Sequence, residues 1–412
     1  MSNEVLFLSH RMPFPPDRGD KIRSHHILKR IAGLAPVHVA TFADDERDIA
    51  EEVELAALVQ SYRLVRRVKP LLFAGIQSLL SRQPASLPAF HNPEIAAYVT
   101  KILRERPIAT IYVFSGQMGQ YVPADFTGKV ICDFVDVDSA KFEAYAERSK
   151  GLKHWVNARE ARLLSAEEAK LACRANISLL VSAEEAALFR ARLAPQDLAA
   201  SDVRALSNGI DSRFYDPGAV KPEPRLLECE GPRLIFTGQM DYAPNIEAAL
   251  RATDRLLPLI RQTIPKASFH VVGRNPSDEL RDRHGKGGVH VWGGVEDIRT
   301  WLAAADMALV PLEIARGVQN KVLEAMAMSL PVVLTPAAAC GIGAADGQHF
   351  AVADSDTELA DRATALLSHP RQGWSLGLEA RRFVVDELSW QATLAPLAAM
   401  LARDSVARRD AA

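Results

Sequence analysis

Short apolar runs of strand length alternate with helical patterns along most of this 412-residue chain, and that alternation constrains its fold most. Strands separated by helices cannot pair as hairpins, so each crosses over and lies parallel to its neighbour. In the first half the pattern predicts strands at 4–9, 37–42, 62–68, 110–114, 130–135 and 177–181. Helices are expected at 20–32, at 93–105 and over a long stretch 139–173 that breaks near Gly151. A second alternation places strands at 234–237, 268–272, 290–292, 307–310, 332–335 and 350–352, with closing helices at 357–368, 374–387 and 391–403. Between the two halves, 211–232 is rich in proline and glycine and has no clear period, which reads as a linker. The fold class is therefore α/β, with two Rossmann-like domains, 1–210 and 233–386, and a ligand cleft expected between them.

Composition narrows the function. A hydrophobic content of 48% supplies more than one core, and a net charge of −2 gives no global attraction to nucleic acid. The cysteines Cys132, Cys173, Cys229 and Cys340 lack zinc spacing and read as reduced buried thiols. MSNEVLFLSH has no secretory signal character, and no stretch reaches the roughly 18 apolar residues of a membrane span. The expected location is the cytoplasm.

The stretch from Arg316 to Thr335, RGVQNKVLEAMAMSLPVVLT, joins a glycine loop, a polar helix start and a buried strand. Loops of this kind leave the carboxyl ends of parallel strands, where ligands bind, and a helix start presents free N–H groups to phosphate. Asn320 and Glu324 share a helix face with Lys321 beside them. One cation suits a phosphate, and one carboxylate accepts from vicinal hydroxyls. A nucleotide sugar carries both groups. The competing reading, an ordinary solvated Lys–Glu pair, describes most such pairs.

Other loops carry weaker signals. Arg11 to Lys21 contains Gly19 and a helix start at Asp20, which reads either as a ligand loop or as a turn with Asp20 as the cap. Arg18 and Lys21 are lesser candidates there. Asp136, Asp138 and Ser139 follow a strand; the metal reading of DVD is rejected because no histidine cluster accompanies it, whereas an N-cap role is the simple alternative. Asp136 remains suited to handling an acceptor hydroxyl. His10 ends the first strand, and of the adjacent His25 and His26 at least one must be structural. Gly273 with Arg274, and 294–297, are candidate base or ribose neighbours, with turn chemistry as the alternative. The segment from Arg63 to Arg82 pairs cations with leucines and suits either an anionic membrane surface or a core helix.

In the pieces PFPPDRGDKIRSHHILKRIA, DFVDVDSAKFEAYA, SNGID, FTGQMDYAPNIEA, VVGRNP and RGVQNKVLEAMAMSLPVV, the chain resembles the family-four retaining glycosyltransferases. It is most similar to the sugar transferases of bacterial exopolysaccharide and exosortase systems. The resemblance implies a GT-B fold, with an acceptor domain at 1–210, a nucleotide-sugar donor domain at 233–386, and a terminal helix, 387–412, crossing back to the first. It also implies hexosyl transfer from a nucleotide diphosphate sugar to a saccharide or lipid-linked acceptor in surface glycan synthesis; peripheral contact at the inner membrane surface rests instead on the membrane reading of Arg63 to Arg82, with the core helix as its alternative. Two departures stand out. Arg316 occupies the place, eight positions before Glu324, where the family usually carries a glutamate, and the usual Arg and Lys pair after the first strand of the second domain is replaced by GQMDYAPN.

The residues expected to act in catalysis are accordingly Asp136, His10, Arg316 and Lys321. Donor binding falls to Gly19, Gly238, Gly273, Val295, Gly317, Gln319, Asn320, Lys321 and Glu324. Neither a metal nor a cofactor beyond the co-substrate is expected. The alternative functions are a sugar-nucleotide epimerase of the same architecture and a non-catalytic nucleotide-sugar-binding subunit.

Overall fold

The computed structural model describes residues 3–67, 78, 83–315 and 317–402. Arg316 and most of the Arg63 to Arg82 segment lie outside the described residues. The chain divides into two compact units. One runs to Asn208 and takes up the chain again from Thr393; the other spans Gly209–Ala392.

The first unit is built on seven parallel strands: β1 (Glu4–Ser9), β2 (Val37–Ala43), β3 (Ser61–Arg66), β4 (Ile108–Phe114), β5 (Lys129–Val135), β6 (Ile177–Leu180) and β7 (Val203–Ala205). Their order is β3-β2-β1-β4-β5-β6-β7. β1 is buried along its whole length, as a strand covered by helices on both faces must be. The strand order reverses between β1 and β4, so the loops after these two strands diverge and open a crevice at their carboxyl ends. Helix Gly19–Ala32 is tied to the sheet by a buried pair: Arg23 donates to the Asp133 carboxylate at 3.1 and 3.2 Å, and the Tyr112 hydroxyl donates to the same group at 3.0 Å. The long helical stretch is two helices, Asp138–Glu147 and Gly151–Arg174, and Gly151 takes the left-handed conformation (φ +60) that separates them. From Thr393 the chain packs on this unit, where the Lys129 ammonium donates to the carbonyls of Met400 at 3.0 Å and Ala402 at 2.6 Å.

The second unit has six parallel strands: β8 (Arg233–Thr237), β9 (Ser268–Val272), β10 (Val289–Gly293), β11 (Met307–Val310), β12 (Val332–Leu334) and β13 (Ala351–Val352). The order is β10-β9-β8-β11-β12-β13, with the reversal between β8 and β11. The stretch 211–232, read as a linker, belongs to this unit. Leu226 is fully buried in its core, Tyr215 packs against that core, and Pro224–Leu227 forms a short helix. Prolines start turns there, so the absence of periodicity conceals packing rather than its lack.

All four cysteines are free. Only Cys132 is buried, its thiol pushed well up by burial, whereas Cys173 and Cys340 are exposed, which corrects the expectation of buried thiols throughout. No described helix is long and apolar enough to cross a membrane.

Candidate functional site

A cavity of about 630 Å³ opens at the carboxyl ends of β8, β9 and β11 in the second unit. It gathers Gly238, Gly273, Val295, Gln319, Asn320, Lys321 and Glu324 from four separate stretches of chain, together with Tyr242, Asn245 and Arg274. The loops after β8 and β9 form its floor. A Cβ on Gly273 would meet the Gly238 carbonyl oxygen at 1.6 Å, so this approach requires glycine. The Met240 N–H then donates to the Arg274 carbonyl at 2.8 Å, and the Asn275 amide donates to Asp241 at 3.0 Å, closing the two loops onto each other. Gly238 itself sits at φ +152, where an added Cβ would lie 3.0 Å from the Lys321 nitrogen.

Helix Asn320–Ala327 supplies the charged wall. Its inner face, including Val322, Leu323 and Met326, is buried against the sheet, which turns Lys321 and Glu324 toward the cavity. Lys321 donates to Asn245 Oδ1 at 2.5 Å and stands 4.5 Å from the centre of the Phe236 ring. Asn245 in turn donates to the Gln239 carbonyl at 2.8 Å, which fixes the orientation of its amide. Burial lowers the Lys321 pKa to about 8, with Glu324 opposing the shift. Burial likewise raises the Glu324 carboxyl against the lowering influence of Tyr215 and Lys321, and burial, then Glu324, raises the Tyr215 hydroxyl in return. A cation and a carboxylate are thus both held in a poorly solvated wall, where each gains most from a ligand of opposite charge or hydrogen-bonding need.

Gly317 lies just before this helix at φ +65, exposed, with open space where a Cβ would stand. Gln319 precedes the first turn and its amide donates to the Gly317 carbonyl at 3.0 Å. Asn245, Tyr215 and Phe236 were not anticipated. Asn245 belongs to the quoted FTGQMDYAPNIEA, so a signal for it existed; Tyr215 was hidden in the stretch taken for a linker.

In the first unit, His10 follows β1 and Asp136 follows β5. His10 is buried, stacks on Phe114 at 5.9 Å, and places Nε2 3.4 Å from Asp20. Burial lowers its pKa despite Asp20, and Nδ1 has no hydrogen-bond partner. Asp20 does not cap helix Gly19–Ala32. Arg18 is the capping residue and its side chain makes no capping hydrogen bond, while Asp20 accepts from Arg11 at 2.5 Å, drawn away by the charge. Gly19 is exposed beside this cluster. Lys21 is buried on Asp48 at 2.6 Å, and Arg18 donates to Asp44 at 3.0 Å, so neither is a free cation for a ligand. His25 is buried edge-on to Phe14 and has a structural role.

Asp136 is likewise no helix cap: it accepts from Lys141 at 2.7 Å, and Lys141 also reaches Asp138 at 3.2 Å. Burial opposes the charge on Lys141, yet the two carboxylates hold its pKa above the ordinary value. Asp136 lines a cavity of about 270 Å³ with Asp138, Gln117, Phe134, Glu168 and Leu171, a mixture of hydrogen-bonding groups and one aromatic ring. His10 does not line it. Among the described residues no group of three or more His, Cys, Asp or Glu is placed to hold a metal ion.

Residues 231–369 match the family model described as glycosyl transferases group 1, and the match contains the whole Lys321 and Glu324 cavity wall. The second unit thus carries a group 1 glycosyltransferase domain at 231–369. No curated protein matches the chain in sequence. Among solved structures, Anabaena HepE in complex with UDP is similar over 97% of this chain and 99% of its own, at 16% identity and a TM-score of 0.60. Sucrose-phosphate synthase of Thermosynechococcus elongatus covers 97% and 98% at 15% identity and a TM-score of 0.59. WaaG, a glycosyltransferase involved in lipopolysaccharide biosynthesis, covers 97% and 100% at 18% identity and a TM-score of 0.54. With the glycosyltransferase domain and its two parallel sheets, the chain has the GT-B fold.

Proposed function

We propose that the chain is a retaining hexosyltransferase that binds a nucleoside diphosphate sugar in the second unit and passes the sugar to a hydroxyl of a saccharide or lipid-linked acceptor in surface glycan synthesis. The observation carrying this reading is the pairing, in one cavity, of a half-buried ammonium at Lys321 with a half-buried carboxylate at Glu324 above two interlocked glycine loops. Lys321, the first-turn N–H groups of helix Asn320–Ala327 and Arg274 offer positive charge for a diphosphate. Glu324 accepts from ribose hydroxyls. The crystallised complexes of HepE with UDP and with UDP-glucose make uridine nucleotides the first probes to use.

The chemistry asks the protein to stabilise a departing diphosphate and an oxocarbenium-like sugar, which fixed cations and helix N–H groups do without reorganising. The acceptor hydroxyl must lose a proton, and Asp136 is the group proposed to take it. The reading includes no metal or cofactor beyond the co-substrate. Incubation with labelled UDP-sugars, with and without a lipid-linked or free saccharide acceptor, tests it. An acceptor-dependent glycoside supports transfer. Isomerised free nucleotide sugar would instead make the protein an epimerase, and binding without turnover a binding subunit.

A further inference from the structure

The helical hairpin of the first unit ends in an apolar, cationic tip that the protein leaves uncovered. Helix Asp138–Glu147 turns into helix Gly151–Arg174, and every residue from Gly151 to Val156 is exposed. Leu152 (78% exposed), Trp155 (53%) and Val156 (48%) stand at positions i, i+3 and i+4, so they form one stripe on the first turns of the second helix. Tyr145 (53%) projects from the end of the first. The tip is an ordered piece of structure: His154 Nδ1 donates to the Ala146 carbonyl at 2.9 Å, and the Asn157 amide donates to Ser149 Oγ at 3.2 Å, clipping the turn to both helices.

Charge completes the pattern. Between Arg148 and Arg162 the sequence carries Arg148, Lys150, Lys153, Arg159 and Arg162 against a single carboxylate, Glu160. Glu160 is buried and accepts from the Ala85 N–H at 2.7 Å, so it does not neutralise the surface. Arg148, Lys150, Lys153 and Arg162 are exposed, with Glu147 as the nearest exposed acid along the chain.

We propose that this tip docks the protein on an anionic lipid bilayer, with Leu152, Trp155 and Val156 entering the headgroup region and Arg148, Lys150 and Lys153 pairing with lipid phosphates. Trp and Tyr favour the interface between headgroups and acyl chains, and clustered cations draw such a segment to anionic lipid. The apolar area offered by four side chains is on the order of 400 Å², below what a stable protein–protein interface buries. A convex turn of this size suits a soft surface. The same helix carries Leu164, Glu168 and Leu171 into the wall of the Asp136 cavity, about 14 Å farther along at 1.5 Å per residue. That is a reach fit for an acceptor held in the membrane.

Vesicle flotation of the full chain tests this. The wild type should float with phosphatidylcholine vesicles containing 30% phosphatidylglycerol (about a third anionic) and stay behind with phosphatidylcholine alone. Lys150→Gln combined with Lys153→Gln should lower the partition coefficient about thirtyfold, from about 1 kcal/mol per cation. Leu152→Ser combined with Trp155→Ser should lower it at least tenfold, while both variants keep the wild-type circular dichroism and UDP affinity. Flotation independent of anionic lipid, no flotation of the wild type, or variants that float like the wild type would overturn the proposal. So would a concentration-dependent dimer in sedimentation that the same substitutions dissolve. The docking tip and the donor cavity share no residue, so unchanged UDP affinity keeps a failure here separate from a failure of the transferase reading.

Discussion

Lys321→Met should make the ligand-free protein more stable and nearly abolish its affinity for a nucleoside diphosphate sugar. Burial moves the Lys321 pKa from its ordinary 10.5 to about 8, so the fold disfavours the ammonium by ~3 kcal/mol. Methionine fills similar volume without charge. It abandons the hydrogen bond to the largely buried Asn245 amide, which costs about 2 kcal/mol. The net gain is about 1 kcal/mol, or a rise in Tm of about 2–4 °C for a unit of this size. The pH dependence carries the same signature with opposite signs for stability and binding. Between pH 8 and 10.5 the unfolded lysine still holds its proton while the folded one has lost it, so wild-type stability from this group rises with pH across that window. Affinity for UDP-glucose falls across the same window, because only the ammonium pairs with diphosphate. Thermal melts and calorimetric titrations at pH 7, 8, 9 and 10, run on wild type and variant, read both (pH grid spanning about one unit per step). A variant that melts well below the wild type and binds UDP-glucose as tightly would refute the reasoning.

Asp136→Asn should slow transfer about a hundredfold or more while leaving UDP affinity unchanged, since the carboxylate is proposed to act on the acceptor alone; normal transfer would reduce Asp136 to a partner of Lys141. Its half-exposed pairing with Lys141 predicts a stability change below about 1 kcal/mol, measurable by urea unfolding. Gly273→Ala should destabilise the second unit by about 3 kcal/mol, because its Cβ would overlap the Gly238 carbonyl, whereas Gly19→Ala meets nothing within 4 Å and should leave the melting temperature within a degree or so. Transfer activity should survive excess EDTA, and strict dependence on a divalent ion would return DVD to consideration as its ligand.

What the sequence made legible was whatever depends on near neighbours in the chain. Parallel strands buried on both faces announce themselves as apolar runs, so β1, β9 and β11 are readable with their limits. Helix Asn320–Ala327 and the side shared by Lys321 and Glu324 follow from helical spacing alone. Distant partners were invisible. Asn245 anchors Lys321 across 76 positions, and Arg23 finds Asp133 across 110. No local pattern encodes those meetings, which the crossover topology arranges. Asp20 shows a local rule overridden: a good capping residue is taken by Arg11 and His10 because charge outweighs one helix-end hydrogen bond. Tyr215 shows the reverse case, in which a stretch without periodicity nevertheless packs on a core.

The central claim is that Lys321 and Glu324 mark a nucleoside diphosphate site, and calorimetric titration of UDP and of uridine into wild type and Lys321→Ala tests it most directly. The account predicts that the variant loses at least about tenfold in affinity for UDP, the loss of one charge-assisted contact, and changes little toward uridine. Equal loss for both ligands, or no loss for either, would contradict it.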